Sequence, residues 1–428
     1  MIVPSIDLMD GRAVQLVGGE HRAVDAGDPR PIAERFARVG EIAVIDLDAA
    51  LGSGDNRAIA RELAGRFSCR VGGGIRDYDT AVAWLDAGAR RVILGTAAEP
   101  PLLDRLPRER TIAAVDARDG EVVVHGWRSG TGRDLLERVG ELKDHVGGFL
   151  VTFVEREGRM QGIDLERVAR VVEAAGDARV TVAGGVTTPE EVAAIDRLGA
   201  DVQVGMALYT GRLDVADAFT APLRSDRPDG LWPTVVADEL GRVLGLVYSN
   251  AQSVREAVAT GRGVYRSRRR GTWVKGATSG ATQQLVRVAA DCDRDALCFT
   301  VRQAGAGFCH TGARGCFGDD RGLGGLARRL AARRDSAPSG SYTRRLLEDD
   351  GLLAAKLREE AEELAAARSP AEVAHEAADV IYFALVALAR AGVPLEAVES
   401  ELERRSRKVT RRPGDAKRPP PRRERSDP

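Results

Sequence analysis

Val71-Gly72-Gly73-Gly74-Ile75 and Val182-Ala183-Gly184-Gly185-Val186 are the stretches from which the fold of the first half of the chain is read. Each sets an apolar run against paired glycines, and they stand about 110 residues apart. The same spacing recurs. Asp7-Leu8-Met9-Asp10-Gly11 comes back as Asp116-Ala117-Arg118-Asp119-Gly120, and Ile93-Leu94-Gly95-Thr96-Ala97 as Gln203-Val204-Gly205-Met206-Ala207. A repeat of this kind is a property of whole supersecondary units. Between these points short apolar runs such as Ala43-Val44-Ile45-Asp46-Leu47 alternate with amphipathic stretches, the pattern of βα units on a parallel sheet or barrel. Two half-barrels of four βα units each account for the repeat, so residues 1–222 are expected to close into a (β/α)8 barrel.

In such a barrel the strand ends share one mouth, which sets Asp7 across from Asp116. Gly73 and Gly74 after strand three, Gly184 and Gly185 after strand seven, and Gly95 and Gly205 after strands four and eight offer backbone N–H groups to phosphate. Two symmetric clamps suit a substrate with two phosphates. A plainer reading has both aspartates capping loops. With these motifs, residues 1–222 resemble phosphoribosylformimino-5-aminoimidazole carboxamide ribotide isomerase, which converts an aminoaldose to an aminoketose. The resemblance implies Asp7 as base, Asp116 as acid and Thr152, on strand six, as a supporting hydroxyl. The sequence departs from the family at Phe153, where an aspartate is usual, and at Met206, where arginine is common.

Residues 223–230 are rich in turn-formers and read as a linker. Residues 231–320 are strand-rich, with one helix at about 251–260, and are expected to form a small α+β metal domain. Cys69 is alone, whereas Cys292, Cys298, Cys309 and Cys316 cluster. In a reducing compartment clustering favours metal over disulfide. On an extended strand Asp291, Asp293 and Asp295 would share one face and Cys292 the other. Carboxylates suit Mg2+, while the thiolates of Cys292, Cys309 and Cys316 suit Zn2+. Three protein ligands leave a position for water, as in catalytic zinc sites, although a structural zinc is the alternative. Cys298, on an apolar strand, reads as core.

With Cys309-His310-Thr311-Gly312 and Gly315-Cys316-Phe317, this segment resembles phosphoribosyl-AMP cyclohydrolase, and Ser267-Arg268, Trp273, Lys275-Gly276, Ser279-Gly280 and Gln283 fit the family's substrate-binding run. The resemblance implies zinc-assisted opening of a purine ring, His310 as proton shuttle, and Arg268 or Lys275 on phosphate. It also implies a homodimer in which zinc sites are completed across the interface. Ala277 and Arg266 stand where the family has an acid and an aromatic.

Residues 318–341 are polar, Gly-containing and Arg-rich. Within an expected helical domain over 324–408, the stretch from about 340 to 408 is helical in pattern, with Ala and Leu on one face and Glu and Arg on the other. Glu360 and Glu363 are three apart, as are Glu376 and Asp379, so each pair shares a helix face. Acidic helix faces are commonly just solvated. The second pair stands out because Ala377 to Leu385 is strongly apolar, and a carboxylate buried there needs a partner such as Mg2+. With Ser341-Tyr342-Thr343 and Lys356 in front, the segment resembles phosphoribosyl-ATP pyrophosphohydrolase, an all-helical family that cleaves the α–β phosphate bond. Lys356 either touches phosphate or pairs with Glu360.

The 63 basic and 64 acidic residues leave a net charge of −1, which argues against nucleic acid as partner. No run approaches the roughly 18 apolar residues of a membrane span, and with no targeting pattern at Met1 to Leu8 a cytoplasmic enzyme is expected. Residues 409–428, Pro- and Arg-rich, are expected to be a disordered basic tail. The whole reads as a histidine-biosynthesis enzyme acting on small phosphoribosyl nucleotides in three consecutive steps. Two alternatives stand beside it: a chain in which only the hydrolases act and the barrel is a degenerate phosphate-binding or regulatory module, and a nucleotide sensor with structural zinc.

Overall fold

The computed structural model describes residues 1–410 except Glu20, His125 and Arg128. The tail expected to be disordered lies, from residue 411 on, outside the described residues. Eight strands form the first unit: β1 (Ile2–Met9), β2 (Ile42–Asp46), β3 (Cys69–Gly72), β4 (Arg91–Leu94), β5 (Thr111–Arg118), β6 (Gly148–Phe153), β7 (Arg179–Ala183) and β8 (Ala200–Val204). Each pairs in parallel with the next, and β8 returns to β1, closing the barrel. Strands buried on both faces lose the polar alternation of half-exposed ones, as Gly148-Phe149-Leu150-Val151-Thr152-Phe153 shows.

The loops entering the outer helices carry the start signals. Asp28, Asp77, Asp134, Asp164 and Asp214 each accept a backbone N–H of the helix that follows, and Thr188 with Glu191 forms a capping box. After β1 and again after β5 the chain makes a pair of antiparallel strands at the mouth, Arg12–Val17 with His21–Gly27, and Glu121–Val124 with Ser129–Asp134. Both halves of the repeat thus build the same excursion.

The second unit is a curled mixed sheet of β9 (Trp232–Asp238), β10 (Val243–Ser249), β11 (Val264–Ser267), β12 (Gly271–Val274), β13 (Gln283–Ala290) and β14 (Leu297–Gln303), in the order β12-β11-β10-β9-β14-β13. Only β9 and β14 run parallel. Tyr265 is fully buried, its ring 5.4 Å from Trp273 and 5.3 Å from Phe299, and its hydroxyl donates to Gln283 at 2.6 Å. Helix α1 (Val215–Thr220) of the barrel packs on α2 (Ala251–Thr260) of the sheet, and one apolar core runs through both units.

The third unit is all-helical: α3 (Gly322–Ser336), α4 (Tyr342–Glu348), α5 (Asp350–Ala366), α6 (Pro370–Ala391) and α7 (Leu395–Ser406). Its separate core gathers Leu330, Leu346, Leu353, Phe383 and Val386. A Ser369–Glu372 capping box opens α6, and left-handed Gly392 ends it. Among the described residues no single helix is long and apolar enough to cross a membrane.

Two local expectations are corrected. Residues 291–296 are not strand but the turn joining β13 to β14, so strand alternation does not govern which way Asp291, Cys292, Asp293 and Asp295 face. Aspartate competes for its own backbone: the Asp291 carboxylate accepts from the N–H groups of Asp295 at 3.0 Å and Ala296 at 3.1 Å, while Arg294 takes a left-handed φ of 68°. Likewise Glu376 and Asp379 are half-exposed rather than buried, because no element among the described residues covers the outer side of this half of α6, where Val373 and Ile381 stay exposed. The buried carboxylate of this unit is Glu360, 5% exposed.

Candidate active sites

A cavity of about 910 Å3 opens at the C-terminal mouth of the barrel, and Asp7, Asp116, Thr152, Gly73, Gly74, Gly95, Gly184, Gly185 and Gly205 all line it. The paired glycines are required by close approach. A Cβ on Gly73 (φ +96°) would lie 2.1 Å from the Asp46 carbonyl oxygen, and one on Gly184 (φ +99°) 2.7 Å from that of Phe153. Asp7 accepts from Ser5 at 2.8 Å and Gln15 at 3.1 Å, yet burial pushes its carboxyl up to about 6. Asp116 sits beside Thr152 in strand register. Burial raises Asp116 too, against hydrogen bonds from Thr152 and Trp127.

A third carboxyl, not singled out from the sequence, completes the group. Glu157 lines the same cavity, and burial, then the charges of Asp7 and Asp116, push it up to about 7. It follows β6 on a loop whose counterpart after β2 brings Leu47, Ala50 and Leu51, not an acid, to the cavity, so the repeat gave no warning of it. The available signal was an acid directly before a glycine, Glu157-Gly158, past a barrel strand. Trp127, at φ +68°, was missed as well. Phe153 is buried in the apolar core away from the cavity that its neighbour Thr152 lines, whereas Met206 is on the cavity wall.

In the second unit Cys309 and Cys316 lie near each other on the loop after β14, and each thiol acts on the other's acidity. Thr311 donates to Cys309 Sγ at 3.2 Å, and its hydrogen bonds lower the Cys309 thiol, whereas burial raises that of Cys316. His310 Nδ1 is 3.8 Å from Cys309 Sγ. Lys275 lies over the Phe308 ring at 5.6 Å, lowered by burial and opposed by the nearby thiols. Arg268 lies against Tyr248 at 4.9 Å. Cys298 is half-buried in β14. Cys292 is not with the other two thiols. It is exposed on the turn before β14, and that seven-residue strand spans about 20 Å. On the same turn Asp291, Asp293 and Asp295 bring one oxygen each within 4.8 Å of the others, and the charge of Asp293 raises Asp295.

In the third unit α5 and α6 bring Glu360, Glu363 and Glu376 equally close. Burial and then the neighbouring carboxylates raise Glu363. Asp379 is not part of that group, and its carboxylate lies 3.8 Å from His375 Nε2. Lys356 pairs with Glu360 at 2.8 Å and Glu359 at 3.0 Å. The oxygen donors fit a hard cation. The thiol pair fits a soft one, with Cys292 set apart from it.

Three sequence families match in succession: histidine biosynthesis protein over residues 1–214, phosphoribosyl-AMP cyclohydrolase over 245–318, and phosphoribosyl-ATP pyrophosphohydrolase over 323–406. A histidine biosynthesis trifunctional protein of Neurospora crassa is 41% identical over 359 residues, 80% of this chain and 38% of that protein. A histidine biosynthesis bifunctional protein of Schizosaccharomyces pombe is 50% identical over 206 residues, covering 48% of this chain and 49% of its own length. The chain therefore spans less than half the length of these two relatives. An imidazole-4-carboxamide isomerase of Methanocaldococcus jannaschii is 34% identical over 232 residues, 51% of this chain and 98% of the isomerase. The chain belongs to the histidine biosynthesis protein family, its isomerase-type barrel followed by a cyclohydrolase domain and a pyrophosphohydrolase domain.

Proposed function

We propose that the chain carries out three consecutive steps of histidine biosynthesis: it hydrolyses phosphoribosyl-ATP to phosphoribosyl-AMP and pyrophosphate, opens the purine ring of the product, and isomerises the resulting aminoaldose to the aminoketose. The observation that carries this reading is the barrel cavity, where three carboxyls, each raised by burial, lie between two glycine clamps. With the phosphates held by Gly73, Gly74 and Gly95 at one end and Gly184, Gly185 and Gly205 at the other, the sugar ring lies over Asp7 and Asp116. Asp116 gives a proton to the ring oxygen as the ring opens, with Thr152 orienting it. Asp7, ionised above about pH 6, takes the proton from C2. Glu157 holds the further proton that three facing carboxyls require.

Cys309 and Cys316 with Cys292 are assigned to zinc, and Asp291, Asp293 and Asp295 to magnesium. Because Cys292 is one strand-length away from the thiol pair, its thiol comes from a second copy, and the active species is a homodimer. Leu246 and Phe317, 53% and 66% exposed near the thiol loop, supply apolar surface for that contact. Zinc there would supply a water acidic enough to attack the purine carbon at neutral pH. His310 moves the proton, and Lys275 and Arg268 hold phosphate. In the helical unit Glu360, Glu363 and Glu376, with Asp379 at the margin, would hold Mg2+ for the triphosphate, and Lys356 pairs with Glu360.

A second reading leaves only the hydrolases active. It is favoured by one observation: among the described residues the cations lining the barrel cavity are Arg76, Arg133 and Arg138, whereas Met206 occupies the Gly205 clamp. Supplying phosphoribosyl-ATP with Mg2+ and Zn2+ and identifying where the product series stops tests both. Accumulation of the aminoaldose selects the second reading, and unchanged phosphoribosyl-ATP defeats both.

A further inference from the structure

Beside the bond from Cys316 N–H to the Leu244 carbonyl at 2.7 Å and the Arg314–Glu239 pair at 3.7 Å, a buried carboxylate ties the Cys309–Cys316 loop to the sheet. Asp238, at the end of β9, is fully buried. One of its oxygens accepts the backbone N–H groups of Leu240 at 3.1 Å and Arg242 at 2.9 Å. The other is 3.3 Å from Arg314 Nη2 and 3.3 Å from Arg328 Nη1. These two guanidiniums come from different units. Arg314 lies between the two cysteines, and its carbonyl accepts from Phe308 N–H at 2.9 Å while the neighbouring Ala313 carbonyl accepts from Cys309 N–H at 3.1 Å. Arg328 belongs to α3 of the helical unit and is itself held by Asp320 at 3.0 and 2.5 Å.

A buried carboxylate needs both charge and hydrogen-bond partners, and removing one leaves it under-compensated. With Arg328 gone, Asp238 would draw Arg314 toward itself and away from its 3.3 Å bond to the Gln303 carbonyl. The backbone of the thiol loop moves with Arg314. We infer that Arg328 of the pyrophosphohydrolase unit is a positioning residue for the cyclohydrolase, acting through Asp238 and Arg314 on the Cys309–Cys316 pair. The helical unit is then a working part of its neighbour's site, and the covalent join has a structural role beyond keeping two enzymes in equal amounts. This rests on the cyclohydrolase reading of the thiol loop.

The test uses the full chain with Arg328→Gln, Arg328→Lys and Asp320→Asn. Asp320→Asn loosens Arg328 without stripping Asp238 of its charge partner, and it serves if Arg328→Gln does not fold. In metal-stripped protein the alkylation rates of Cys309 and Cys316, read by mass spectrometry, should rise several-fold in Arg328→Gln and return toward wild type in Arg328→Lys. In zinc-loaded protein kcat for ring opening should fall about tenfold or more with KM within about twofold, because misplacement of a reacting group acts on kcat. Phosphoribosyl-ATP hydrolysis should be retained, which controls for folding. Unchanged thiol reactivity and kcat in Arg328→Gln, or in Asp320→Asn where the former does not fold, overturns the inference. Absence of ring opening in the wild type would count against the cyclohydrolase reading instead, and the alkylation rates would still decide whether Arg328 positions the thiols.

Discussion

Asp7, Asp116 and Glu157 share the barrel cavity without an ion-pair partner among the described residues, and each carboxyl is raised by burial. A carboxyl raised in the folded state binds protons that the unfolded chain has released, so stability falls as pH rises from its ordinary value to its raised one. For Glu157 that window runs from 4.5 to about 7. Glu157→Gln should therefore stabilise the protein at pH 8 by an amount on the order of 1–3 kcal/mol and have little effect at pH 4, as thermal melts at the two pH values would read. The same substitution should slow isomerisation. Asp7→Asn should lower isomerase kcat by roughly 100- to 10,000-fold while both hydrolytic steps continue. In the wild type isomerase activity should climb through about pH 6 as Asp7 ionises, measured as kcat/KM against pH. Asp7 and Asp116 were legible because the internal repeat named them together. Glu157 was not, since the matching segment of the other half brings apolar Leu47, Ala50 and Leu51 to the cavity and only the fold sets Glu157 facing the other two.

Glycine turns and one misread turn carry the lessons at the level of elements. Gly73→Ala would drive a Cβ onto the Asp46 carbonyl in a left-handed backbone, so the turn must shift. A loss of about 1–3 kcal/mol of stability and a raised KM for the isomerase substrate are expected, measured by denaturant titration and steady-state kinetics. The Asp291–Asp295 turn was read as strand because alternating Asp residues imitate the period-two pattern of a β-face. Physically, aspartate side chains that cap their own backbone outweigh that pattern, and the hairpin reverses there. Asp291→Asn keeps an acceptor for Asp295 and Ala296 but removes a charge. It should leave the melting temperature unchanged while raising the Mg2+ concentration needed for half-maximal ring opening. The α6 pairing was half legible. Helical spacing put Glu360 beside Glu363 and Glu376 beside Asp379, but which members of two helices meet is set by their packing, and it joins Glu376 alone to the first pair.

At the scale of the whole molecule, the three-unit order was open to reading because each unit has its own periodicity: βα alternation, strands ending in cysteines, then helices. How the units dock was not, because periodicity reports which face of an element is apolar and never what covers it. One core runs through barrel and sheet, and the helical unit has another. Calorimetry should accordingly show two transitions, the larger belonging to barrel and sheet together. The shared core also fixes where the gene could be divided. A break at residues 223–230 would strip α1 from α2 and leave two sticky halves, so separately expressed pieces should aggregate. A break near Gly318 would yield two pieces with intact interiors, but it would part Arg328 from Asp238 and release a cyclohydrolase whose thiols are slack. Evolution, engineering or proteolysis can thus cut this chain cleanly at only one of its two joints, and there only at a cost to the enzyme upstream.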